Sequence, residues 1–357
     1  MIFKKKSSVV GLDIGSSSIK LVKLVKDGDR VHLENCGMMP IPRQAIVESA
    51  IMDSNALMES IRELYSSLKL KDKNVAIAIS GNSVIIKKIS LQMMTKEELN
   101  EAIKWEAEQY IPFDIKDVNL DYYVIPYDDA AEQMEVVLVA AKSDMINDYT
   151  SLCVSAGLNP IMVDVGVFSI ENCFTYNYQL ISDEVYVLAN FGASMTNINI
   201  LQRGYTSFTR DINIGGDFFT DEIQKQLNIP FEQAEALKMG RVYSNKESKQ
   251  KAVIPTEVQN SLRTSTENLA MELHKSVEYF ATTNPDVDIS KIYISGGTAK
   301  ISGIIEALAM EIDKPVFILN PFEQITLSEG DFDLQFIKEM RPVFASATGL
   351  SLRGLNV

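Results

Sequence analysis

Histidine is nearly missing from this chain: among 357 residues only His32 and His274 occur, far apart in sequence. So sparse a supply argues against a histidine-based metal centre and against a Ser-His-Asp triad. Cysteine is as scarce. Cys36, Cys153 and Cys173 are odd in number and scattered without C-x-x-C spacing. Neither a disulfide framework nor a thiolate zinc site follows, and a reducing cytoplasm is the expectation. No stretch of the sequence reaches the roughly 18 uncharged apolar residues of a membrane-spanning helix. Asp13 arrives before a signal-peptide core can form, so export by a cleaved signal is not expected. Positive charge is also short, with 34 Lys and Arg against 48 Asp and Glu and a formal charge of −14. Nucleic acid and anionic lipid both reward Lys and Arg, and the one basic cluster, Lys4-Lys5-Lys6, is small. What remains is a globular composition, 46% apolar and 23% charged, without low-complexity tracts. The length is more than most single cores use and suits two lobes.

The most informative feature present is a motif that occurs twice. Val9-Val10-Gly11-Leu12-Asp13-Ile14-Gly15-Ser16-Ser17-Ser18-Ile19-Lys20 recurs in outline as Val187-Leu188-Ala189-Asn190-Phe191-Gly192-Ala193-Ser194-Met195-Thr196-Asn197. Each copy reads as an apolar strand, a carboxylate or amide, a tight turn of small residues, and a return strand. Such a turn can aim several N–H groups and hydroxyls at one anion, because Gly and Ser place no bulk in the way. Two hairpins facing each other would grip a polyphosphate. A third element, Lys291-Ile292-Tyr293-Ile294-Ser295-Gly296-Gly297-Thr298, reads as a strand entering Gly-Gly and then a helix. Paired glycines let a backbone lie flat against a purine ring. Taken singly, each turn is what an ordinary hairpin or strand-to-helix connection contains. The three in this order resemble the actin-like ATPases, which include heat-shock chaperone ATPases and sugar kinases.

Organisation along the chain agrees with two lobes. Leu57, Ile61, Leu64, Tyr65 and Leu68 have the spacing of a helix with one buried face, and Val75 to Ser80 reads as a buried strand. Residues 83–160 read as an inserted βαββα module. It has strand-like runs Val84–Ile86 and Lys88–Leu91, a helix opening at the capping box Thr95-x-x-Glu98, strands near 118–125 and 134–141, and a helix from Ser143 to Ala156. We therefore expect lobe one in residues 1–82, the inserted α+β module in 83–160, a return helix of lobe one in 161–181, and the core of lobe two in 182–216. A helical subdomain is expected in 217–284, with Ser244 to Gln250 as a surface loop, the adenosine motif in 285–338, and a final helix on lobe one in 339–357.

Asp13 stands two residues before Gly15, where a carboxylate can hold a water-coordinated Mg²⁺, and Lys20 on the return strand can neutralise phosphate charge. The resemblance assigns phosphate binding to Gly15, Ser16, Ser17, Ser18, Gly192, Ala193 and Ser194. It assigns the metal side of the second hairpin to Asn190, through water. Glu235 and Lys238, three apart on one helix face, fit a plain surface ion pair equally well. In the actin-like family the same E-x-x-K pattern follows a Gly-Gly segment, here Gly215-Gly216, and holds ribose and adenine together with Gly296, Gly297 and Thr298. Two positions depart from a working ATPase. Asn190 replaces an Asp near the metal, and Gly166 falls where a carboxylate positions the attacking water, leaving Asp164 as the nearby candidate catalytic residue. ATP binding with weak or absent hydrolysis is the expectation.

Narrower runs resemble the PilM family, the actin-like proteins of type IV pilus assembly. They are Trp105-Glu106-Ala107-Glu108-Gln109-Tyr110-Ile111-Pro112-Phe113-Asp114, Phe208-Thr209-Arg210-Asp211, Ile214-Gly215-Gly216-Asp217, Thr220-Asp221-Glu222-Ile223-Gln224 and Ala347-Thr348-Gly349-Leu350-Ser351-Leu352-Arg353. The resemblance implies an α/β, two-lobed actin-like ATPase fold with an FtsA-type insertion in lobe one. It also implies a scaffold on the cytoplasmic side of the inner membrane, recruited by the N-terminal peptide of a PilN-like protein. Pilus motor ATPases are possible further partners. Trp105 lies off the apolar stripe Leu99, Ala102, Ile103, Tyr110, so Trp105, Tyr110, Ile111 and Phe113 are the expected peptide contacts. The alternatives are a sugar-kinase-type enzyme, which would need a carboxylate where Gly166 stands, and an FtsA-like filament protein, whose C-terminal amphipathic anchor has no counterpart at Leu355-Asn356-Val357.

Overall fold

The computed structural model describes residues 9–126, 132–240, 254–328 and 332–355. Lys4–Lys6 and Ser244–Gln250 lie outside the described residues.

The first motif folds as expected into a hairpin, β1 Val10–Ile14 and β2 Ser18–Asp27, followed by β3 Arg30–Pro40. A small ribbon, β4 Ile46–Val47 and β5 Ala50–Ile51, leads into α1 Ser54–Ser67, capped by the Asp53 carboxylate, and then β6 Asn74–Ile79. Val10, Leu12, Ile19 and Leu21 face one side of the sheet and bury against α1 residues Leu57, Ile61 and Leu64.

The insertion comprises β7 Val84–Gln92, α2 Lys96–Glu108, β8 Val118–Val124 and β9 Gln133–Lys142, with strand order β7-β9-β8. The two apolar runs expected before α2 form one continuous strand, because β9 pairs with all of it. Thr95 caps α2 in a complete capping box, worth roughly 1 kcal/mol. Leu99, Ile103 and Ala107 pack on Ile89, Val136 and Leu138 as a separate small core. The following helix, α3 Ser143–Ser155, departs from the expected βαββα unit. Its buried residues Met145, Tyr149, Leu152 and Cys153 join the core of lobe one, so the self-contained part of the insertion is βαββ.

β10 Asn159–Val165 completes the first sheet, in the order β10-β6-β1-β2-β3, and α4 Gly166–Asn177 leaves it. Lobe two repeats this plan with β11 Val185–Phe191, β12 Thr196–Gln202 and β13 Tyr205–Ile212, then α5 Gly216–Leu227, α6 Phe231–Lys238 and α7 Thr256–Thr283. It ends with β14 Lys291–Ser295, α8 Ile304–Ile312, β15 Val316–Ile318, α9 Leu334–Met340 and α10 Ala345–Leu355. The second sheet runs β13-β12-β11-β14-β15, the same order of antiparallel and parallel neighbours as the first.

Two helices cross between the lobes. α4 follows a strand of lobe one, yet Ile170, Cys173 and Phe174 bury against Tyr186, Leu188 and Leu201 of lobe two. α10 follows lobe two and lies on β1, where a Cβ at Gly11 would overlap the Ala347 carbonyl oxygen. The helices meet each other through small residues. Ser169 Oγ is 2.9 Å from Ser346 Oγ. A Cβ at Gly349 would overlap the Ser169 carbonyl oxygen.

Gly349→Ala is therefore expected to force the two helices apart and cost roughly 3 kcal/mol. Denaturant unfolding measures this; wild-type stability in the variant would show that the contact is slack.

Candidate functional site

Strand pairing sets the chemistry of the hairpins. Asp13 on β1 sits opposite Lys20 on β2, and the lysine Nζ lies 3.2 Å from the Asp13 carboxylate. The Gly15 amide donates to the Ser18 carbonyl at 3.2 Å, closing the turn. In the second hairpin the Gly192 amide donates to the Met195 carbonyl at 2.9 Å. Asn190 there occupies the register of Asp13 and Asn197 that of Lys20, so the second copy is the neutral one. The turns face each other, with Ser16 Oγ donating to Ser194 Oγ at 3.0 Å. Gly15, Ser16, Ala193 and Ser194 are half-buried and Ser17 is exposed. Ser18 begins β2 opposite Pro40 and is the most buried of the three turn serines.

The Gly192 carbonyl joins the three motifs of lobe two. It accepts from the Gly216 amide at 2.9 Å and from Thr298 Oγ1 at 2.8 Å. Gly215 lies against the second turn, where any Cβ would overlap the Ala193 carbonyl oxygen. Gly296 has φ +88°, a left-handed backbone that favours glycine, and its amide donates to the Pro342 carbonyl. Gly297 has an ordinary φ of −68° and nothing within 4 Å of its missing Cβ. Neither conformation nor packing demands glycine there, which leaves a flat, exposed peptide face. α8 starts only at Ile304, after a 3₁₀ turn over Thr298–Lys300, later than the sequence suggests.

Glu235 and Lys238 are not a plain surface pair. The Lys238 side chain is only 7% exposed, and its Nζ lies 2.6 Å from Glu235, 2.9 Å from the Gly216 carbonyl and 2.8 Å from Thr220 Oγ1. All three ammonium protons thus have acceptors within lobe two. Thr220 stands in one of the family-like runs, but its place in this cluster is not readable from the sequence because its partners are set by the packing of α5 on α6. Its place one helical turn past the Gly-Gly segment is the signal that was available.

For a metal, no group of three or more His, Cys, Asp or Glu side chains converges among the described residues. Asp13 fits the remaining possibility, a single carboxylate contacting the hydration shell of a phosphate-bound Mg²⁺. Asn190 Oδ1 already accepts from Ser295 Oγ at 3.2 Å and adds no charge.

Asp164 is corrected as a catalytic candidate. It is buried, its Oδ2 lies 3.3 Å from Arg353 Nε, and its Oδ1 accepts from the Val165 amide at 2.8 Å. Burial pushes its carboxyl up and the Arg353 guanidinium pulls it part of the way back. It is a structural ion pair tying β10 to α10. Gly166 opens α4 beside Ser80. Glu171 on α4 is likewise committed, accepting from Asn199 Nδ2 at 3.0 Å and from Thr206 Oγ1.

On the insertion, Trp105 is 74% exposed and Tyr110 40% exposed. Phe113 is half-buried under the Lys142 ammonium, 4.3 Å from the ring centroid. Ile111 is corrected: it is buried in the module core and is not free to line a surface. At the rim between the lobes, the Arg43 guanidinium sits 3.9 Å from the Phe231 ring centroid and 3.5 Å from Asp221.

A family model described as type IV pilus assembly protein PilM matches residues 11–355. Among solved structures the chain is similar to the PilM-PilN type IV pilus biogenesis complex, at 27% identity over 98% of this chain and 99% of that chain, with a TM-score of 0.86. It shares its fold with the ethanolamine utilization protein EutJ from Carboxydothermus hydrogenoformans, at 16% identity, 96% and 89% coverage and a TM-score of 0.58. It also shares it with MreB 5 of Spiroplasma citri bound to AMPPNP, at 13% identity, 97% and 95% coverage and a TM-score of 0.51. The chain belongs to the PilM family, and its fold is that of the actin-like proteins.

The Asp164–Arg353 pair makes a pH-dependent prediction. A carboxyl raised in the folded state favours folding while protonated, below its ordinary value of about 3.9, and loses that contribution as pH rises through the folded value. Arg353→Met removes the countercharge and should raise the folded value further. Its loss of stability, on the order of 1–2 kcal/mol because Arg353 is nearly half exposed, should therefore be larger at pH 7 than at pH 4. Denaturant titrations at the two pH values test this, and an equal loss at both would contradict it.

Proposed function

We propose that this member of the PilM family holds ATP with Mg²⁺ between its lobes and serves as a scaffold recruited to the cytoplasmic face of the inner membrane by the N-terminal peptide of a PilN-like protein. The observation that carries the nucleotide reading is the Gly192 carbonyl, which gathers the second hairpin, Gly216 and Thr298 into one wall facing the Asp13–Lys20 hairpin. Lys20 would balance phosphate charge, Asp13 would accept from metal-bound water, and the turn amides would orient the phosphate oxygens. Bound Mg²⁺ would supply charge neutralisation across the phosphates. Gly297 would leave its peptide face to the base. With Asp164 paired to Arg353 and Gly166 lacking a side chain, no placed carboxylate remains at the candidate position for the attacking water, and turnover far below the median enzyme value of about 10 s⁻¹ is expected.

The partner reading is supported by family membership and by the likeness to a structure described as a PilM-PilN complex. Among the described residues no helix is long and apolar enough to cross a membrane. Attachment in this reading comes from the partner, and exposed Trp105 is its best single contact.

Calorimetry with MgATP should give binding to wild type and a roughly tenfold or greater loss in Asp13→Ala, from one charge-assisted contact of about 1.5–3 kcal/mol. Absence of binding to wild type would overturn the nucleotide reading. Separately, a fluorescent peptide copied from the cytoplasmic N-terminus of the partner should bind wild type at least about tenfold more tightly than Trp105→Ala, a loss of roughly 2 kcal/mol. Equal affinities would remove Trp105 from the interface.

A further inference from the structure

Thr220 is fully buried, yet its hydroxyl is the centre of a polar cluster on α5. Its Oγ1 lies 2.6 Å from Glu235 Oε2, 2.8 Å from Lys238 Nζ and 3.1 Å from the Gly216 carbonyl. A hydroxyl has one proton. The shortest of these contacts to an acceptor is with the carboxylate, so the proton goes to Glu235 while Lys238 donates into the Thr220 oxygen. Lys238 also reaches Glu235 Oε2 directly, at 2.6 Å. Oε2 is therefore held from two sides, whereas Oε1 of this 39% exposed side chain has no hydrogen bond among the described residues.

We propose that Thr220 is a positioning residue for recognition of the sugar of a bound nucleotide. Together with Lys238 it pins one oxygen of Glu235 so that the other is presented, in a fixed orientation, to a ribose hydroxyl. Lys238, whose donors are all used, acts as support and not as a ligand. The inference rests on the nucleotide reading above. It adds that discrimination between ribose and deoxyribose depends on a threonine that does not touch the nucleotide. A site built to hydrogen-bond a hydroxyl disfavours the analogue that lacks it, because its own polar group is then left unpaired.

The test compares calorimetric affinities for ATP, 2′-deoxy-ATP and 3′-deoxy-ATP, each with Mg²⁺, in wild type, Thr220→Val, Thr220→Ser and Glu235→Ala. Wild type should prefer ATP over at least one deoxy analogue by about tenfold. In Thr220→Val that ratio should fall towards one through weaker ATP binding, with affinity for the analogue little changed, and Thr220→Ser should restore it. A purely structural role would weaken all three ligands together and leave the ratio intact, which would overturn the proposal. Glu235→Ala, at a partly exposed position, must also lose the ratio, so its retention there refutes the proposal even where Thr220→Val does not fold. Equal binding of all three nucleotides by wild type overturns the sugar inference alone. No binding of any of them overturns the nucleotide reading with it.

Discussion

Backbone contact between crossing helices is the constraint on which this architecture depends. α10 lies on β1 at Gly11 and on α4 at Gly349, close enough that a methyl group at either glycine would overlap a carbonyl oxygen. Each helix belongs by sequence to one lobe and by packing to the other. Their closeness sets the spacing of the two sheets, and that spacing brings Ser16 within hydrogen-bond distance of Ser194. Interiors packed this tightly transmit displacement instead of absorbing it. A shift at the Ser169–Ser346 contact would therefore be felt at the hairpin tips.

Duplicated topology does not mean duplicated chemistry. The sheets share one strand order, and Asp13 and Lys20 correspond in register to Asn190 and Asn197. The charged pair stands on one side of the cleft and amides on the other. Of the two hairpins, that of lobe one thus carries the charged side chains, while lobe two contributes backbone groups gathered at the Gly192 carbonyl and the Glu235–Lys238 cluster of α5 and α6. Under the nucleotide reading proposed above, that division suits retention of an anion better than its chemical conversion, because stabilising charge as it develops requires preorganised groups around the reacting atoms.

Much of this was legible in the sequence. Gly and small residues between apolar strands mark a hairpin wherever they fall, and Thr95 with Glu98 specifies a helix start locally. Trp105 could be placed outward because it lies off the stripe of α2, and it is the most exposed aromatic side chain of the described residues. What the sequence hid are the partnerships that only folding creates. Asp164 looked available because Arg353 lies far along the chain, and Glu235 with Lys238 could pass for a surface ion pair because Thr220 and the Gly216 carbonyl come from another helix. The helix from Ser143 reads as part of the insertion because its core partners lie in lobe one, far off in sequence, and the burial of Ile111 depends on the fold of the whole insertion.

The Arg43 contact has a kinetic meaning. It lies at the rim of the cleft, bridging lobe one to Phe231 and Asp221, away from the α4–α10 contact between the sheets. A partly exposed cation–π contact contributes about 0.5–1 kcal/mol and an exposed ion pair at most about 1. With one further hydrogen bond between Ser16 and Ser194, of about 1 kcal/mol, the clasp amounts to roughly 2–3 kcal/mol. Tyr123 of the insertion also stacks on Tyr205 of lobe two, with ring centroids 5.8 Å apart, so the lobes are tied outside the α4–α10 contact at more than one place. Each such tie is small beside the buried helix contact, so the rim can loosen contact by contact, on a timescale of microseconds to milliseconds, while the buried helices stay in register.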